Sequence, residues 1–194
     1  MKNDILDITG EDSDLPETKL LSKGDIKSLK KWIPSKYKDR PLQRVFQLTK
    51  DFTNIQTLTN KLKGIGATLI VIKTQDGKRF GGFMNKDWKK GIDDSNKLNY
   101  GAYFGSKRAF LFSLDHKEKY GLLNPGFAGR YDTKQFGPCF GMDLYVNLSQ
   151  NVGNLNKMAY DININKICRS NTFMVEEMEI FAFSKECINS CSIF

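Results

Sequence analysis

Apolar positions in this chain follow two different periods, and the change falls near Gly66. Before it, Ile26, Leu29 and Trp32 or Ile33 recur at helical spacing. Ser22 stands ahead of them as a cap with Asp25 in the first turn, and Pro34 closes the segment because its ring cannot continue a helix. A second helix starts at Asn54, sets Ile55, Leu58 and Leu62 on one face, and stops at Gly64 and Gly66. Val45–Leu48, between the two, reads as a short strand. Beyond Ala67 the pattern becomes β-branched and aromatic, and it predicts strands at Ala67–Thr74, Arg79–Met84, Ala109–Leu114, Cys139–Leu148 and Met174–Phe183. The first two flank Asp76-Gly77, a strong hairpin signal. Gly81-Gly82 inside a strand predicts a bulge or a close backbone approach. Two polar or glycine-rich stretches, 85–99 and 121–138, read as loops. Helices followed by a run of antiparallel strands, with no repeat and no linker, predict one α+β domain.

Composition fits that reading. The 194 residues are 40% hydrophobic, enough for a single sizeable core, and 14 Phe and 7 Tyr supply much of it. No apolar run reaches the roughly 18–20 residues needed to span a bilayer. The first residues carry no long apolar stretch and no glycine after Met1, so neither a secretory signal nor myristoylation is expected, and a cytoplasmic location is. Charge is unevenly spread: residues 1–17 hold six acids and one base, a net of −5, which leaves the remaining residues at +13. We read residues 1–16 as an acidic flexible leader on a basic body that favours acidic partners.

Chemistry has few places to reside. The single histidine, His116, lies in a charged segment after a strand, which leaves nucleophilic mechanisms without their usual base. Cys139 reads as a buried thiol beside Phe140 and Met142, with a reactive thiol as the alternative. Cys187 and Cys191 form a lone pair with no second half of a zinc site. Glu177 and Glu179 share one face of a strand with Glu176 opposite, and a solvated face is expected. Gly64-Ile65-Gly66 precedes a strand instead of following one, so it is no dinucleotide fingerprint. Basic clusters lie near Trp32, Tyr37, Trp88 and Phe104, yet no nucleic-acid motif accompanies them and nucleic-acid binding is not expected. Cys191-Ser192-Ile193-Phe194 fits a prenylation signal of the geranylgeranyl type, with Cys187 as a candidate second lipidation site.

Several motifs occur in an order that resembles the TLDc domain family, the module of oxidation-resistance proteins. They are Glu17–Ser22, Trp32-Ile33-Pro34, Val45–Leu48 and the hairpin over Ala67–Met84 with Gly81 and Phe83. Tyr103-Phe104-Gly105 with Phe110–Leu114, Phe140-Gly141-Met142, and Phe173–Phe183 with Glu179 complete the series. Asp143 stands where that family usually has an aromatic, and Phe181 replaces a closing tryptophan. The resemblance covers roughly residues 17–184 and leaves 185–194 as a tail. It implies two packed antiparallel sheets (a sandwich core) flanked by short helices, no enzymatic activity and no cofactor. It also implies a role in oxidative stress, binding to peripheral subunits of the vacuolar proton ATPase, and a monomer. With Cys191 prenylated, a cytosolic membrane face becomes the expected location. The alternative is a membrane-tethered adaptor or trafficking scaffold with another protein partner.

Overall fold

The computed structural model describes residues 18–95 and 101–183, together with the backbone of Ile5 and Leu6. In chain order the elements are β1 (Ile5–Leu6), α1 (Lys23–Trp32), α2 (Ser35–Lys38), β2 (Leu42–Gln47), α3 (Leu48–Asp51), α4 (Ile55–Leu62), β3 (Thr68–Thr74) and β4 (Arg79–Met84). They continue with α5 (Lys89–Ser95), β5 (Ala102–Phe104), β6 (Phe110–Ser113), β7 (Glu118–Tyr120), a 3-10 turn at Pro125–Phe127, β8 (Gly129–Asp132) and β9 (Gly137–Cys139). The last are β10 (Leu144–Asn147), β11 (Val152–Leu155), α6 (Ile164–Ile167) and β12 (Thr172–Phe183).

The predicted α+β class holds. A large antiparallel sheet runs β1-β2-β12-β3-β4-β6-β7, and β11, paired with β10, joins it at the start of β12. β5, β8 and β9 form a second, smaller sheet. β3 explains why so few polar residues interrupt its sequence: it is buried on both faces. Leu69 and Val71 point into one cluster with Leu29, Ile33, Phe83, Phe110, Phe112 and Phe181. Ile70 and Ile72 point into the other with Phe46, Trp88, Tyr131, Phe140 and Ile180. α1 covers the first face. Its capping box is complete: Asp25 N donates to Ser22 Oγ at 3.2 Å, and Ser22 N donates to Asp25 Oδ2 at 2.8 Å. Such a cap contributes about 1 kcal/mol. Arg79 Nη1 reaches the same Asp25 oxygen at 2.6 Å and ties the helix start to β4.

The glycine pair in β4 makes a close approach and no bulge, since the register runs unbroken to β3 and to β6. A Cβ on Gly81 would lie 1.9 Å from the Ile70 carbonyl oxygen, and one on Gly82 would lie 2.5 Å from the Phe140 ring.

Three expectations need correction. The stretch 85–99 is not all loop: it contains α5 and the fully buried Trp88, whose Nε1 donates to Thr68 Oγ1 at 2.9 Å. The stretch 121–138 contains β8, buried along its length, and most of β9. Gly129 reads as a turn residue but is required by contact, because a Cβ there would meet the Phe104 ring at 2.5 Å. Finally, Cys139–Leu148 is not one strand. Gly141, with φ +59°, turns the chain so that β9 ends in the small sheet and β10 starts in the large one.

Candidate functional site

The face of β12 that carries Glu177 and Glu179, expected to be solvated, is covered. Glu177 and Glu179 share a face, as the strand period requires, but both are buried. β2 pairs with β12 only from Glu179 onward, so the chain beside Glu177 is free to form α3. The start of α3 then supplies Glu177 with the Thr49 amide at 3.1 Å and the Thr49 hydroxyl, while Gln47 Nε2 donates at 2.9 Å. Burial pushes the Glu177 carboxyl up, and the bonds from Thr49, Gln47 and the Met178 amide outweigh it, leaving it below the usual range. Glu179, fully buried, pairs with Arg44 Nη1 at 3.2 Å and accepts from the Thr18 hydroxyl at 2.5 Å and the Lys19 amide at 3.2 Å. Both groups are saturated with structural hydrogen bonds. Glu176 alone faces outward, 2.7 Å from Lys73 Nζ.

The other candidates are also held in structural roles. His116 is exposed in the loop after β6, as expected. Cys139 is fully buried, and burial drives its thiol up to about 12, far from a reactive thiolate. Trp88, Tyr37 and Phe104, considered as stacking platforms, are buried in the core and cannot stack on bases. Cys187 and Cys191 lie outside the described residues. No group of three or more metal-ligating side chains occurs among the described residues.

Exposed apolar side chains gather at one other place. Tyr103 on β5 is 40% exposed, Phe127 in the 3-10 turn 50%, and Met158 64%. With Asn124, Met142 and Ala159 they line a mainly apolar cleft of about 270 Å³. The Tyr103 and Phe127 rings meet edge to face at 5.3 Å.

Local structure explains how such distant residues converge. Asp143, fully buried below the cleft, accepts from three successive amides: Met158 at 2.8 Å, Ala159 at 2.9 Å and Tyr160 at 2.9 Å. Asn156 Nδ2 donates to the Met142 carbonyl at 2.9 Å, so the two cleft segments are sewn together. The Ala159 carbonyl in turn accepts from Leu123 and Asn124, which holds the 3-10 turn alongside. Burial pushes the Asp143 carboxyl above its ordinary range despite those amide donors.

A family model described as the TLDc domain matches residues 15–184. The chain belongs to the TLDc domain family. The TLDc motif residues then fall into two groups. Gly81, Phe83 and Glu179 serve the large sheet: Phe83 is fully buried beneath Tyr37 and Phe183, and Glu179 holds Thr18 and Arg44. Phe104, Gly105, Phe140 and Gly141 frame the cleft. A Cβ on Gly141 would meet the Phe127 carbonyl at 2.8 Å, and one on Gly105 would meet the Pro125 carbonyl at 3.2 Å. Phe104 and Phe140 both pack on Trp88 below. The TLDc motifs mark that frame and not its contents. Phe127 and Met158 carry no local signal of exposure. Asp143, a departure from the TLDc pattern, holds the Met158–Tyr160 side of the cleft.

Proposed function

We propose that this TLDc protein is a non-catalytic binding module that acts in protection from oxidative stress by engaging peripheral subunits of the vacuolar proton ATPase. The cleft formed by Tyr103, Phe127, Met142 and Met158 is the contact we assign to it. One observation carries the reading: Tyr103, Phe127 and Met158 are exposed together beside closely packed TLDc motif residues. An exposed methionine, Met158, beside half-buried Met142 and two exposed aromatics suits an adaptable apolar anchor from a protein partner. A non-catalytic role is supported by the saturation of Glu177 and Glu179 and by the high thiol pKa of Cys139. The ATPase as partner follows from the family association, and the basic body favours an acidic protein face.

The test is capture from native lysate with internally tagged wild-type protein and the F127S/M158S variant. Recovery of peripheral ATPase subunits by wild type, reduced about tenfold or more in the variant, is the expected result. Equal recovery by both removes the cleft from the reading. Recovery of other proteins with no ATPase subunit favours the adaptor alternative. We further propose that Cys191 carries a prenyl anchor that places the protein at a cytosolic membrane face, where one chain needs a second signal such as lipidated Cys187 or the basic surface. No helix among the described residues is long and apolar enough to cross a membrane. A C191S protein that fractionates with membranes as wild type does would remove the anchor.

A further inference from the structure

The outer edge of β2 has a partial cover. β1 pairs with it through two residues, Ile5 opposite Gln43 and Leu6 opposite Leu42, while β2 extends to Gln47. On that side of β2 the described residues supply only this short strand, with the Gln47 amide at the far end held by Asp51 Oδ2 at 2.8 Å. The same leader rejoins the described fold at Thr18 and Lys19, which are bonded to Glu179, the residue opposite Gln47 of β2. Its two described attachments thus fall at opposite ends of one strand pair.

Charge complements this geometry. In sequence, Asp4 and Asp7 bracket the two pairing residues, and residues 1–17 carry a net of −5. The segment 35–47, which contains β2, holds Lys36, Lys38 and Arg40 against one acid, Asp39, besides Arg44, which is paired with Glu179. The Arg40 Nε is buried without a hydrogen-bond partner. Beyond the other end of the strand, exposed Lys19 and Lys50 join Arg44 around an open cleft of about 610 Å³.

We propose that the outer edge of β2 is a strand-addition site for an extended acidic segment, and that the chain's own leader, through Ile5 and Leu6, occupies it in the free protein. Main-chain pairing supplies the affinity of such a site, and the basic flanks supply its preference for acids. A two-residue strand is short enough to be exchanged, so a partner segment of the same character displaces the leader and docks in its place. This surface shares no residue with the apolar cleft, and the inference does not depend on the function proposed for that cleft.

The test uses the full chain and a fluorescent synthetic peptide with the sequence of residues 1–17. The tethered leader competes at a high effective concentration, so wild type binds the peptide weakly. In the I5P/L6P variant the leader cannot pair, and the peptide should bind about tenfold or more tightly, with affinity falling as salt is raised. Amide exchange over residues 42–47 should quicken in the variant and slow again with excess peptide. Unchanged exchange over residues 68–74 then certifies an intact core. Equal peptide binding by wild type and variant, or no binding by either, overturns the proposal. A leader with all six acids neutralised provides the second check: it should lose to the added peptide as I5P/L6P does, and failure to do so removes the charge argument and the proposal with it.

Discussion

Two fully buried carboxylates organise different segments of this molecule by different physical means. Glu179 has a cation: Arg44 neutralises it, and the remaining oxygen capacity fixes Thr18 and Lys19. The hydrogen-bond partners of the Asp143 carboxylate are backbone amides from a single loop. The first arrangement locks a segment to a sheet through charge, and is costly to break from one side. The second folds a loop around an anion, and places a surface. A buried acid is thus no sign of catalysis by itself; what matters is whether its lone pairs are already used.

That contrast can be broken at several points. Removing one member of the Arg44–Glu179 pair strands the other charge, so R44M should lose about 3–5 kcal/mol in denaturant unfolding. Replacing both with methionine should restore most of the loss, because a packed apolar pair of similar volume is nearly neutral. An R44M protein as stable as wild type would show that Glu179 finds adequate partners without the cation. For Asp143→Ala the expected loss is about 2–3 kcal/mol, since three loop amides lose their acceptor. It should come with faster proteolysis between residues 156 and 160, and an unchanged digestion pattern would mean that the loop holds itself. Glu177→Gln should cost only about 1 kcal/mol at neutral pH, because an amide keeps part of the network. Its effect depends on acidity. The folded Glu177 carboxyl sits below its ordinary range, so its stabilisation is complete above the unfolded value of about 4.3 and fades as pH falls through the folded one. Melting curves of wild type and E177Q should therefore converge in acid. Asp143, pushed upward by burial, has the opposite sign: its ionisation costs stability as pH rises.

Local signals carried most of the fold. The Ser22–Asp25 cap, the Asn54 start and the Asp76-Gly77 hairpin are each set by neighbours in sequence, and each appears where its pattern puts it. The elements that escaped depend on distant partners. α5 follows a tryptophan whose role is visible only from Thr68, Phe104 and Phe140. β8 and β9 contain Gly129 and Gly137, which read as turn punctuation; Gly129 is needed because the Phe104 ring presses on its backbone, and Gly137 because its φ is +66°. The cleft was illegible for the same reason. Tyr103, Phe127, Met142 and Met158 come from four separate segments, and the Asp143 bonds that gather them leave no periodic trace. Glu177 and Glu179 looked solvated because a strand period says which residues share a face and not which face another element covers.

The place of β12 has a consequence for how the chain comes together. The last described strand lies between β2 and β3, and also receives β11, so it is inside the sheet and not at its border. A nascent chain that has emerged only through β11 holds β2 and β3 with the edges that will flank β12 still open. Such edges pair promiscuously, and sheets closed by distant segments form slowly. Productive folding must therefore wait for Phe183, and the interval before it is when this protein most needs protection from its own strands.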